Sequence, residues 1–108
     1  MAAKKFCLIY VTAKNEDEAR KLGLAVVEKK LAASANILPR MHSIYWWKKK
    51  VEEADEAVLL IKTLATNYLK VEKYISEHHS YVTPCIFRIS IDGGAKPYLK
   101  WLSESVLG

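Results

Sequence analysis

Two adjacent histidines, His78 and His79, are the side chains in this sequence best suited to bind a metal or to respond to pH near neutrality. They close a stretch that reads as a helix, where a terminal histidine is also favoured by the macrodipole. Neighbouring helical residues project ~100° apart, so the two imidazoles cannot chelate one ion as an i, i+4 pair does. His42 stands alone on a predicted strand. The acidic group Glu52, Glu53, Asp55 and Glu56 could hold a hard cation. It also faces Lys48–Lys50 across a predicted turn, where cross-strand ion pairs are the simpler expectation. The lysine run itself reads as a solvated turn before it reads as a phosphate site. Cys7 and Cys85 have no metal spacing and fall in predicted strands, which suits two reduced, buried thiols in a cytoplasmic protein.

No catalytic constellation is legible. The serines lie in no nucleophile elbow, and the first strand-to-helix turn, TAKNED, has no glycine-rich phosphate loop. The sequence has 108 residues, 51% of them hydrophobic and 27% charged, with a net charge of +5. That is one ordinary globular domain, 1–108, whose charge permits acidic partners without demanding them. The start, MAAKK, leads straight into a strand with no signal-peptide pattern. No apolar run approaches the ~18 residues of a membrane span, so no membrane role is expected.

The elements that must position these residues follow in order. Lys5–Thr12 is a buried strand, apolar on both faces. Asn15 caps a helix with Glu18 in capping-box spacing, and Ala19, Leu22, Gly23, Val26 and Leu31 form its stripe. Lys29 and Lys30 are placed in its last turn. Ala35–Leu64 then forms one long hairpin, with Lys48-Lys49-Lys50 as the turn. Pro39 marks a bulge or an edge strand, because proline cannot donate to a ladder. A second helix is placed at about Thr66–His79, with Thr66 as N-cap and Tyr68, Val71 and Ile75 as its stripe. A last strand runs Cys85–Ile91, with Cys85, Phe87, Ile89 and Ile91 on one face, and Pro97 opens a short terminal helix. This order predicts an α+β, ferredoxin-like β-α-β-β-α-β sandwich.

Hairpin length carries its own inference. Arms of about 13 residues would span roughly 44 Å, whereas a compact domain of this size is about 34 Å across. The tip, with Tyr45, Trp46 and Trp47 on or near it, must overhang its own subunit and is expected to dock on a neighbour. Two rival readings of the topology fare poorly. An RNA-recognition domain needs aromatics in its third strand, which here reads EAVLLIKT. Nucleic acid is therefore disfavoured, although the tip's tryptophans and lysines keep it in view. An acylphosphate hydrolase would need an arginine-bearing anion loop that TAKNED lacks.

The strings VVEKKLAASANILPRMHSIYWWKKKVEEADEAVLLIKT, HHSYVTPCIFRISIDGG and PYLKWL resemble the CutA family of divalent-cation tolerance proteins. The resemblance runs from Tyr10 to Leu102 and is most specific at Leu31–Pro39, Ser43–Trp47, Ile61–Thr63 and Tyr98–Trp101. It implies a very stable, non-enzymatic homotrimer whose hairpins wrap onto neighbouring subunits. It also implies a link to tolerance of copper and other divalent cations, and a sensing or small-ligand role between subunits like that of trimeric nitrogen-regulatory signalling proteins. The cleft so implied is lined by Tyr45, Trp47, Lys62, His78, His79, Tyr81 and Tyr98. The sequence departs from the family at Ser34, where a cysteine proposed as a copper ligand is usual. It departs again at Lys49, where a glycine usually turns the hairpin, and at Ser80 and Cys85, where a proline and a carboxylate are expected. His78, His79 and Cys85 then stand as the metal candidates, for copper or another divalent cation, if the fold brings the thiol to the imidazoles. The alternative function is a trimeric scaffold, signalling or interaction module that binds metal incidentally.

Overall fold

The computed structural model describes residues 5–106. The elements are β1 (Phe6–Ala13), α1 (Glu16–Glu28), β2 (Ser34–Trp47), β3 (Lys50–Leu64), α2 (Tyr68–His78), β4 (Ile86–Ile91) and α3 (Lys96–Ser105). The four strands form one sheet in the order β2-β3-β1-β4, with every neighbouring pair antiparallel. The mixed α+β architecture and the element order are those the sequence predicts.

The core lies between the sheet and two helices. Cys7, Ile9, Val11 and Ala13 of β1 alternate inward and meet Ala57, Leu59 and Ile61 of β3. Ala19, Leu22 and Val26 of α1 and Val71 and Ile75 of α2 complete it. Gly23 sets the spacing of α1 on the sheet. A Cβ there would meet Leu59 Cδ1 at 2.9 Å and Ala35 Cβ at 3.0 Å. Asn15 caps α1 as expected, its Oδ1 accepting from the Glu18 N–H at 2.9 Å.

Four expectations need adjustment. Helix α1 ends at Glu28, so Lys29 is its C-cap and Lys30 lies beyond, in the left-handed region at φ 58°. The Leu31 N–H bonds Val26 O and the Lys30 N–H bonds Val27 O, the Schellman pattern, here with lysine where glycine is usual. Thr66 does not cap α2; it sits in a 3-10 turn, Ala65–Asn67, and Asn67 precedes the helix. Cys85 falls just before β4. The hairpin turn has two residues, Lys48 and Lys49, at φ 50° and 66°, with Trp47 facing Lys50 as the last pair. Both positive angles are the type I′ signature, which matches strand twist in a tight hairpin.

Pro39 lies where the β2–β3 register shifts between Leu38 and Met41, on a strand that pairs only with β3, so it is both bulged and at an edge. With arms of 14 and 15 residues, the hairpin accompanies a longest dimension of 44 Å against 31 and 22 Å in the other directions. The second face of the sheet has no helical layer over most of its area. It presents Leu8 and Tyr10 of β1, Leu60 and Lys62 of β3, and Phe87 and Ile89 of β4. Phe87 is 59% and Ile89 48% exposed. Helix α3 covers one end only, where Leu102 and Val106 pack with Ala33, Leu64 and Phe6.

A candidate ligand groove on the open sheet face

The overhanging hairpin and the open sheet face enclose a groove of about 690 Å³, walled by Tyr10, Met41, Tyr45, Trp47, Tyr81 and Phe87. Strand alternation explains its make-up. Met41, Ser43, Tyr45 and Trp47 share the side of β2 that continues the open face. Tyr10 stacks on Phe87, with ring centroids 6.1 Å apart, and its hydroxyl reaches Met41 Sδ at 3.6 Å. Glu56 and Cys85 supply the groove's acid and thiol.

The loop after α2 forms the far wall, and backbone hydrogen bonds fix it. Glu18 Oε1 accepts from the Lys14 N–H at 3.0 Å, and its Oε2 accepts from the Ser80 N–H at 2.8 Å. Burial opposes the Glu18 charge, yet these N–H groups outweigh it and hold the carboxyl below its ordinary value. His79 Nε2 donates to Thr12 O at 2.7 Å, while its Nδ1 accepts from the Tyr81 N–H at 3.0 Å. Tyr81 in turn donates its hydroxyl to Glu56 Oε2 at 2.7 Å. Burial first, and then the Glu56 carboxylate, push the Tyr81 phenol far up, so it stays protonated and donating.

The metal candidates separate. Both ring nitrogens of His79 are engaged, which leaves no lone pair for an ion in this arrangement. His78 stacks on Tyr74 at 4.0 Å and donates Nδ1–H to its carbonyl at 2.8 Å, so only its Nε2 is open. Burial and then the Glu56 charge raise the Cys85 thiol, disfavouring the thiolate that binds soft metals. Among the described residues no three His, Cys, Asp or Glu side chains converge to hold an ion. The described residues of one chain therefore form no closed metal centre.

The proposed cleft residues also divide. Tyr45, Trp47 and Tyr81 line the groove. Lys62 and Tyr98 pair near α3 instead, with Lys62 Nζ donating to Tyr98 Oη at 3.2 Å and lying 5.4 Å from the ring centroid. Sequence reasoning missed Tyr10, Met41 and Glu56 as groove residues. Alternation along β1 and β2 could have found the first two; the Tyr81–Glu56 contact depends on a loop path that no periodicity reveals. At the edge of the groove, His42 bridges Glu53 and Asp55 at 2.7 and 3.1 Å, and Arg40 reaches Asp55 at 3.1 Å. The sequence predicts pairing of the acidic arm with Lys48–Lys50; its ion pairs among the described residues are instead with His42 and Arg40.

Comparison with known proteins places this geometry. Residues 7–105 match the model of a family described as CutA1 divalent ion tolerance protein. A divalent-cation tolerance protein CutA from Archaeoglobus fulgidus is 41% identical over 91% of this chain and 95% of its own length. A chloroplastic CutA from Arabidopsis thaliana is 36% identical over 91% of this chain but only 54% of its own length. The chain likewise spans 53% to 66% of the other animal and plant relatives it matches. A solved Archaeoglobus fulgidus structure, described as a periplasmic divalent cation tolerance protein, superposes with TM-score 0.92 at 38% identity, covering 94% of this chain and 99% of that one. The Oryza sativa CutA1 structure gives TM-score 0.93 at 33% identity, covering 96% of this chain and 95% of that one.

Proposed function

The chain belongs to the CutA1 divalent ion tolerance family, and from that premise we propose that it works as a non-enzymatic homotrimer in the response to divalent metal ions. Its clefts between subunits would hold copper, another divalent cation or a small ligand. The observation that carries the reading is the apolar sheet face, left open within the subunit and extended by an aromatic-lined hairpin. An exposed apolar surface of this kind marks an interface or a ligand groove. An ion in such a cleft would need donors from more than one subunit, with His78 Nε2 the open imidazole. No helix among the described residues is long and apolar enough to cross a membrane. The two unpaired cysteines suit a reducing, cytoplasmic setting.

Native mass spectrometry with and without a few equivalents of copper tests this. A trimer that takes up three coppers, and loses them in the H78A/H79A variant, supports a metal-responsive protein. A monomer would sink the reading. The alternative, a trimeric scaffold or signalling module, draws on the finding that no three potential metal ligands converge among the described residues. A trimer with no saturable uptake would turn the assignment that way. Interlocked hairpins should also carry the melt well above the ~45–65 °C of mesophile domains and make it depend on assembly.

A further inference from the structure

Among the described residues, Lys62 is the cation at the α3 end of the open sheet face, set among Leu8, Leu60 and Ile89, with Glu56, Glu52 and Lys50 further out along β3. Leu8 on β1 and Ser34 on β2 are its direct cross-strand neighbours, and Asn36 sits one step further along β2 on the same side. Among the described residues no carboxylate pairs with Lys62, and its one hydrogen-bond partner is the Tyr98 phenol. The nearest acid on this face, Glu56, is already held by Tyr81. Because Tyr98 Oη accepts from Lys62, its own proton is left to donate. The Ser34 hydroxyl is buried without a hydrogen bond among the described residues. It nevertheless lies close enough to help the Lys62 hydrogen bond hold the Tyr98 phenol below its ordinary value. The cluster is thus an ammonium, two hydroxyls and an adjacent amide, rich in donors and lacking a counter-charge.

We propose that Lys62, Tyr98 and Ser34, with Asn36 beside them, form a binding site for a small oxyanion, the carboxylate of an organic acid or a phosphate. Lys62 is half-buried beside apolar side chains, and among the described residues no carboxylate of this subunit serves as its counter-ion. Charge-assisted hydrogen bonds from Lys62 and the Tyr98 hydroxyl would supply the recognition. The inference rests on the small-ligand arm of the reading above and gives that ligand a chemical class.

Calorimetric titration of the purified full chain with citrate, and separately with inorganic phosphate, tests it. Saturable binding of either anion is expected. It should weaken roughly tenfold or more in K62M, less in Y98F, and stay nearly unchanged in K62R. Citrate alone binding identifies the carboxylate source, and phosphate alone the other; both outcomes support the site. Binding of neither anion up to about 10 mM, or full binding by K62M, overturns it. If K62M does not fold, the wild-type Tyr98 carbon signal in NMR decides. A bound anion should raise the pH at which that phenol ionises, and an unmoved titration overturns the site. A monomer that binds citrate through Lys62 keeps this inference while sinking the trimer. A copper-binding trimer that takes up neither anion does the reverse.

Discussion

The two faces of the same sheet were built to different ends. On the helix side, Ile9, Val11, Leu59 and Ile61 are sealed by α1 and α2, and every one of them is fully buried. On the other side, Phe87 and Ile89 stand half-exposed on the face that carries Lys62, which has no acidic partner among the described residues. One strand can serve both roles because its side chains alternate, so Leu59 and Leu60 are neighbours in the chain yet belong to different environments. The helix side is finished by the subunit itself. The open side has the composition of a core and the solvent exposure of a surface, which is the observation behind the proposed interface or ligand groove.

The sharpest way to break this comparison is to truncate those neighbours. Leu59→Ala should cost about 2–5 kcal/mol in denaturant unfolding, because it empties a closed core. Leu60→Ala should cost far less in a dissociated subunit and should instead weaken assembly or ligand uptake. Equal losses measured on dissociated subunits would show that the open face is not open. Glu18→Gln probes the wall between the two faces. Its carboxylate accepts from the N–H groups of Lys14 and Ser80 through separate oxygens, and the amide replaces one of those oxygens with an NH2 that cannot accept. A loss of roughly 1–2 kcal/mol is expected. The sign with pH follows from a carboxyl held below its ordinary 4.5: its stabilisation is present above pH 4.5 and lost as pH falls through the depressed value. Glu18→Gln should therefore flatten the acid limb of a stability profile measured by chemical denaturation.

Much of the fold was legible because it rests on local and periodic signals. Asn15 with Glu18, the continuous apolar run of β3, and Pro39 at an edge bulge each carry a physical cause readable along the chain. The misplaced turn and the misplaced end of α1 share another cause. Lys48, Lys49 and Lys30 occupy left-handed positions that propensity reserves for glycine or asparagine, so tertiary context overrode the local preference. The site was legible only in part. Tyr45, Trp47 and Tyr81 do meet in the groove, but through a loop whose path is set by Glu18 and His79 accepting and donating to backbone groups far away in sequence. That same engagement of His79 is why a motif-level reading of the histidine pair as ligands could not anticipate its spent nitrogens.

The overhang contributes smaller effects. Lys49→Gly relieves a side chain at φ 66°, and the left-handed region costs an L-residue roughly 1–2 kcal/mol. Part of that gain is cancelled by glycine's larger unfolded-state entropy, leaving a stabilisation of up to about 1 kcal/mol in the unfolding midpoint. A destabilised Lys49→Gly would mean that the lysine makes a contact in the assembled protein that the isolated hairpin does not provide.

The smallest effect tests whether the outer side of the hairpin responds to pH while the groove side does not. His42 meets Glu53 through Nε2 and Asp55 through Nδ1, and a neutral imidazole has only one N–H to give. Both contacts are hydrogen bonds at once only in the imidazolium, and those two carboxylates accordingly raise the ring above its ordinary 6.5. The stabilisation is complete below pH 6.5 and lost as pH rises through the raised value. Because the cluster is exposed, salt should screen it. NMR titration of the His42 ring should give a midpoint above 6.5 that falls toward it in the E53Q/D55N variant. Tyr81 and Tyr45 should show no linked change, since they lie on the opposite side of the arm. A shift of the groove tyrosines in step with His42 would join the two sides of the hairpin into one titrating unit and undo the distinction between them.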